Sequence, residues 1–369
     1  YIGSFNGFWR KDNAGKLEQL ITNTAPAFRP GMRVIEEGEP GDLWISSFDG
    51  IYLFNTKTNS YSRFTHDPDD PSSISNNQIH TLKYIGDNQL VVGLREGLEI
   101  FNTDTKTSRK ISFGEVVGSG VNRSILVYDP RVEDIEVDGE GTIWVGTFNS
   151  NLAYLDLEGD TLITWNIGTR INTGISDIHL DSKERLWVGT ESMGLQLFDR
   201  DKNDFSPFID NNQFLNWYSS IVSINEDRNG QIWVQLDDNL LKIDPESGAS
   251  NLYGESWGVD GSTWNSWSSS AKNGNIYYGG HGGYYLIDPD QIPEIPPLPR
   301  PPFVSRFILD NQIEAISNLN NPRLSTATPS SIELDYDQNN FAIQLGHIDY
   351  ISRSSERRLQ FQLKGHDLS

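Results

Sequence analysis

Leu186 to Asp199 reads LWVGTESMGLQLFD, and Ile143 to Asp156 reads IWVGTFNSNLAYLD. In both, apolar residues alternate with others at period two on either side of a short turn containing Gly or Asn, which is the pattern of a β-hairpin. Related phrases are LWISSFDGIYLFN from Leu43, LVVGLREGLEIFN from Leu90, IWVQLDDNLLKID from Ile232 and IYYGGHGGYYLID from Ile276, and the chain opens inside another, YIGSFNGFWRKD. The bulky residue at the head of each falls at Tyr1, Trp44, Val91, Trp144, Trp187, Trp233 and Tyr277, at spacings of 43, 47, 53, 43, 46 and 44 residues. Seven units of that length match the four short strands of a propeller blade. The expected fold is all-β, a seven-bladed β-propeller.

Ahead of most phrases runs an apolar strand that ends in a polar turn: VEDIEVDGEGTIW from Val132, ISDIHLDSKERLW from Ile175, IVSINEDRNGQIW from Ile221. Asp, Asn and Gly are the residues that tolerate left-handed backbone or fold back on their own amides, so these acids read as turn formers before catalysts. The Trp residues read as packing between neighbouring blades. The first phrase lacks its preceding strand, so either residues upstream or a strand from elsewhere must complete that blade; an open ring would leave faces and edges uncovered.

The 369 residues carry 29 Lys and Arg against 51 Asp and Glu, a net charge of -22, which opposes nucleic acid and anionic lipid as partners. The absence of cysteine removes disulfides, thiolate metal sites and cysteine nucleophiles. Six histidines, at 66, 80, 179, 281, 347 and 366, show no metal-ligand spacing, and the Asp67–Pro71 run lacks the calcium-loop pattern, so no metal or cofactor is expected. After Asp288 the period breaks at a run containing Pro293, Pro296, Pro297, Pro299, Pro301 and Pro302, an extended connector. The expected division is a propeller over 1–290 with its first blade incomplete, a connector over 291–302, and over 303–369 a small, truncated β-sandwich.

The phrases from Leu43, Ile143 and Leu186, with YSRFTHDPDDPSSISNNQIHTL from Tyr61, resemble the two-component regulator propeller repeats of bacterial sensor proteins. The tail phrases IELDYDQNNFAIQLGHIDY and LQFQLKGHD resemble the tyrosine-rich Ig-like domain that follows those propellers. The resemblance implies the periplasmic sensor region of an inner-membrane hybrid histidine kinase or diguanylate cyclase, recognising oligosaccharides, with a second propeller often preceding. It implies a dimer whose membrane attachment and catalytic output lie outside this chain, so the fragment itself is no enzyme. Val91 in place of Trp and Phe361 in place of a tyrosine depart from the pattern.

Loops leading into the innermost strands surround a propeller's channel, and alignment of the repeats puts Arg33, Gln78, Arg131, Gly174, Ser220 and Trp267 at corresponding places. Two arginines can orient a carboxylate or sulfate, or pair with neighbouring acids. The long connections from Asn211 and Glu255 bring Trp217, Tyr218, Trp257, Trp264 and Trp267, flat faces suited to sugar rings or to a protein interface. The candidate ligand site is therefore Arg33, Gln78, Arg131, Trp217, Tyr218, Trp257, Trp264 and Trp267, for an oligosaccharide or other small polar ligand. A propeller lyase or glycosidase, and a dimerisation scaffold without ligand, are the alternatives.

Overall fold

The computed structural model describes residues 1–4, 7–12, 14–22, 31–116, 131–148, 151–156, 161–166, 174–202, 204–208, 215, 219–254, 257–259, 264–271, 273–280, 283–292, 303–309, 312–314 and 341–346. The chain divides into two compact units, Tyr1–Ile292 and Pro293–Ser369.

The first unit is a seven-bladed propeller. Blade one has three strands, β1 (Ile2–Ser4), β2 (Gly7–Lys11) and β3 (Leu17–Thr22). Blade two follows with β4 (Met32–Glu37), β5 (Asp42–Ser47), β6 (Gly50–Asn55) and β7 (Ser60–Phe64), and blade three with β8 (Ile79–Gly86), β9 (Gln89–Leu94), β10 (Gly97–Asn102) and β11 (Ser108–Val116). Blade four holds β12 (Val132–Val137), β13 (Ile143–Thr147), β14 (Asn151–Asp156) and β15 (Thr161–Asn166). Blade five holds β16 (Ile175–Leu180), β17 (Leu186–Thr190), β18 (Leu195–Asp199) and β19 (Asp204–Pro207). Blade six holds β20 (Ile221–Glu226), β21 (Ile232–Leu236), β22 (Leu240–Ile243) and β23 (Ser250–Tyr253). Blade seven ends the ring with β24 (Trp264–Ser270), β25 (Ile276–Gly280) and β26 (Gly283–Ile287). Each blade is an antiparallel meander. One departure is that β11 also pairs in parallel with β15, Ser112 opposite Thr161, joining blades three and four into one eight-stranded sheet.

Among the described residues blade one has no inner strand, β1 corresponding to the second strand of the other blades. Lys11 on β2 donates to the Tyr284 hydroxyl on β26, so blades one and seven are neighbours.

The apolar core lies between blades rather than within them. Trp44 and Ile51 of blade two pack with Ile79, Leu82, Val92 and Phe101 of blade three. Trp144 and Leu152 of blade four pack with Ile175, Ile178, Val188 and Phe198 of blade five, and Trp187 with Ile221, Ile224, Val234 and Ile243 of blade six. The acids of the polar turns then have a defined task. Asp138, Asp181 and Asp227 accept the indole N–H of Trp144, Trp187 and Trp233 at 2.9, 2.9 and 2.8 Å. Each also accepts backbone N–H groups of its own turn, as Asp181 does from Lys183 and Arg185. Turn and anchor are thus one device: the side chain that closes the turn satisfies the only polar atom of the buried ring.

The glycine of the repeated phrase serves the same packing. A Cβ on Gly189 would stand 2.7 Å from Cγ2 of Ile221 on the next inner strand, and one on Gly146 would stand 2.9 Å from Cγ2 of Ile175. The blades approach too closely for a side chain there. Gly189→Ala is expected to lower stability by about 1–2 kcal/mol through overpacking, read as a drop in urea midpoint at unchanged m-value. An unchanged midpoint would mean that blades five and six have room to separate.

In the second unit β27 (Phe303–Leu309) pairs antiparallel with β28 (Gln312–Glu314) and β29 (Phe341–Gly346).

Candidate functional site

Six inner strands share one irregularity that shapes the channel wall. In β8, β12, β16 and β20 the register with the second strand slips after the first residue: Ile79 faces Leu94 but Thr81 faces Gly93, and Ile175 faces Thr190 but Asp177 faces Gly189. The same bulge occurs in β4, and β24 carries a wider one, with two extra residues between Trp264 and Ser268. A bulge inserts a residue that has no partner in the ladder and re-aims its neighbours. Here it sets three layers of polar side chains along the strands.

The outermost layer, beside the loops, is formed by the second residues of β4, β8 and β12, namely Arg33, His80 and Glu133. Arg33 Nη1 donates to His80 Nδ1 at 2.7 Å, and Arg33 Nη2 lies 3.7 Å from Glu133 Oε2. Arg131, just ahead of β12, places its Nε 2.6 Å from Glu133 Oε1. The guanidinium of Arg131 lies 3.5 Å from the centre of the Phe148 ring, and that of Arg33 lies 5.6 Å from the Phe48 ring. Burial would push the Glu133 carboxyl up, but the His80 contact and the charges of Arg33 and Arg131 hold it below the usual range.

In the middle layer, Asp134 Oδ2 accepts the backbone N–H of Ile178 on the next blade at 3.2 Å, and Asp177 Oδ2 that of Ile224 at 2.6 Å. Each carboxyl thus caps a backbone donor of the neighbouring inner strand. The two also hydrogen-bond each other, and burial together with the charge of Glu136 pushes Asp134 up to about 7. Asp177 is raised well above its ordinary value by burial and by Asp134. Burial and their mutual repulsion oppose a full charge on both.

The third layer faces the anchor residues across the second strands: Glu36, Lys83, Glu136, His179 and Asn225. Lys83 Nζ reaches Glu136 Oε2 at 3.1 Å, and His179 Nδ1 stands 3.9 Å from Glu136 Oε1. Burial raises Glu36 and lowers His179, whereas Lys83, which burial alone would lower, is raised by Glu136 and Glu36. Lys83 and His179 thus gather on Glu136, while Asn225 bonds Ser268 and Ser270 of blade seven.

Sequence alignment and structure agree on four of the mouth positions and differ on two. Gln78, Arg131, Gly174 and Ser220 immediately precede β8, β12, β16 and β20. Arg33 instead lies two residues further in, in step with His80 and Glu133, because Met32 pairs like Ile79 and Val132, which puts Gly31 in step with Gln78. Trp267 is four residues into β24, in step with Ser223. Arg33 and Arg131 do converge, but on Glu133. Trp257 is 37 % exposed in the link between β23 and β24, its ring 5.4 Å from Tyr253, which stacks on Trp233. The positions of Trp264 and Trp267 along β24 are defined, their side chains are not, and Trp217 and Tyr218 lie outside the described residues. His80 and Glu133 were missed by sequence reasoning. Sliding the Arg33 segment by two residues against the other repeats would have aligned a base, a histidine and an acid.

For chemistry, the two carboxyls of the middle layer, Asp134 and Asp177, are each engaged by a backbone N–H of the neighbouring blade.

The class defined by this geometry is the seven-bladed propeller with a layered polar channel. No family model matches the chain, and no curated protein matches it. Among solved structures it is similar to the extracellular domain assigned to the hybrid two-component system BT4673 of B. thetaiotaomicron, at TM-score 0.58 and 17 % identity over 77 % of this chain and 36 % of that one. The extracellular domain assigned to the hybrid two-component system BT3049 of the same organism matches at TM-score 0.53 and 16 % identity, over 96 % of this chain and 52 % of that one. Virginiamycin B lyase from Staphylococcus aureus matches at TM-score 0.51 and 12 % identity, over 71 % of this chain and 82 % of that one. At these identities the likeness is one of fold. The chain spans between about a third and a half of the length of the two-component proteins' domains.

Proposed function

We propose that this chain is the extracytoplasmic ligand-sensing region of a bacterial transmembrane signalling receptor of the two-component type, and that its ligand is an oligosaccharide. The observation that carries this reading is the fold likeness to extracellular domains of two hybrid two-component systems, which in one case takes in both units of the chain. The propeller holds the ligand at its loop face, beside the channel mouth. The second unit, read as an Ig-like sandwich, passes the change in packing to the membrane and onward to a kinase or cyclase, within a homodimer in the periplasm. Such a receptor works by binding one of two arrangements more tightly, so ligand stabilises the bound arrangement without being consumed.

A thermal-shift screen against neutral and acidic oligosaccharides tests this. At 100 times its Kd a ligand stabilises the fold by about 2.7 kcal/mol. A saturable shift with unchanged sugar supports sensing, release of a shortened or unsaturated sugar supports the lyase reading instead, and no shift with any saccharide overturns the choice of ligand.

A further inference from the structure

We propose that Phe48, Arg95 and Phe148, at the hairpin tips of blades two, three and four, form the platform on which a saccharide chain lies, with a sugar ring on each phenyl and the guanidinium between them. This rests on the reading of the chain as a saccharide sensor and specifies where on the loop face the sugar is held.

The three residues occupy one position of the repeat. Each follows the residue of the second strand that pairs with the first residue of the inner strand: Ser47 with Met32, Leu94 with Ile79, and Thr147 with Val132. They therefore stand at one level on three successive blades, where the hairpins turn beside the channel mouth. At the same position blades five and six carry Glu191 and Asp237, both exposed.

The fold does not require a phenyl at this position. Phe148 N–H donates to the Arg131 carbonyl at 2.9 Å, and Glu191 N–H donates to the Gly174 carbonyl at 3.0 Å, so the same turn is built with a charged residue. Phe48 and Phe148 are only half-buried, and neither joins the apolar clusters between blades. Two apolar rings thus stand on a rim that elsewhere presents charge. Both are fixed in place from the inner-strand side. The Arg131 guanidinium lies 3.5 Å from the centre of Phe148, while Phe48 has the Arg33 guanidinium at 5.6 Å and the His80 ring at 6.0 Å. A ring held in this way loses little freedom when a sugar stacks its C–H face on it.

Arg95 supplies the polar part. It is exposed and makes no hydrogen bond or ion pair among the described residues, in a chain with 51 acids against 29 bases. Its donors are free for hydroxyl and ring oxygens. Apolar faces on two blades with a donor on the blade between them suit a chain of sugar rings rather than a single sugar.

Isothermal titration of the 369-residue chain with galactotriose, cellotriose, maltotriose and tri-galacturonate, each beside its monosaccharide, tests the platform. At least one trisaccharide should bind about tenfold or more tightly than its monosaccharide. Phe48→Ala and Phe148→Ala should each lower that affinity about tenfold and Arg95→Gln several-fold, whereas Phe148→Trp, which offers a larger face, should hold or raise it. Misfolding of a variant cannot produce the result with Phe148→Trp. In proton NMR the ring protons of the bound trisaccharide should move upfield over the phenyls, and part of that shift should vanish with Phe148→Ala. Equal binding of trisaccharide and monosaccharide, affinity indifferent to both alanine substitutions, or the absence of an upfield shift overturns the platform and leaves the sensor reading standing. Failure of all four trisaccharides to bind overturns both.

Discussion

Trp187→Ala should lower the stability of the propeller by about 5 kcal/mol, enough to unfold a domain of ordinary stability at 37 °C. The ring is fully buried and packs into the core between blades five and six. Removing a buried Trp side chain costs about 3–5 kcal/mol in transfer and cavity, and the lost hydrogen bond to a carboxylate adds about 1.5–3 kcal/mol. The second figure counts only in part. Asp181 keeps the Nε of Arg185 at 2.6 Å and two backbone donors. Trp187→Phe separates the two terms, because it keeps most of the packing and loses only the indole N–H, and should cost about 2 kcal/mol. Guanidinium denaturation of the three proteins reads both numbers. A cost below about 1 kcal/mol for Trp187→Ala would show that blade contacts rest on the strand ladders and not on the anchors.

Asp134→Asn should make the protein more stable at pH 8 and leave it unchanged at pH 4. In the unfolded chain this carboxyl titrates near 4, and in the folded protein its pKa is raised to about 7. Between those values the folded state keeps a proton that the unfolded chain has released. Its contribution is therefore complete below about pH 4, declines as pH rises from 4 to 7, and above 7 is a constant penalty. Three pH units correspond to about 4 kcal/mol, which the open surface along the channel reduces to about 2 kcal/mol. Asparagine is uncharged at any pH, like the protonated acid, and its Oδ1 still accepts from Ile178. Urea midpoints of parent and variant from pH 4 to 8 should converge at the acid end and diverge at the alkaline end. A variant less stable than the parent at pH 8 would mean that the Asp134 charge is needed by the wall.

Repetition made the blades legible. Seven alternating phrases at near-constant spacing leave few arrangements in which every apolar face is covered, and the propeller is one of them. The acid-turn-Trp unit was half legible: its turn chemistry followed from residue type, but its bond to the indole depends on the side chain curling back across the blade to the ring. The mouth was harder still. Arg131 and Gln78 were placed correctly because strands keep their period, and Arg33 was misplaced by two because a slip of two residues leaves apolar alternation unchanged.

The local sequence therefore determined the strands, their turns and the face each buries, since these follow from alternation and backbone preference within a few residues. The closing of the ring decided the rest: that Arg33, His80, Glu133 and Arg131, nearly a hundred residues apart, share one mouth, and that burial and each other's charge raise Asp134 and Asp177. Those are properties of distance and burial between blades, and no residue carries them until its neighbours are in place.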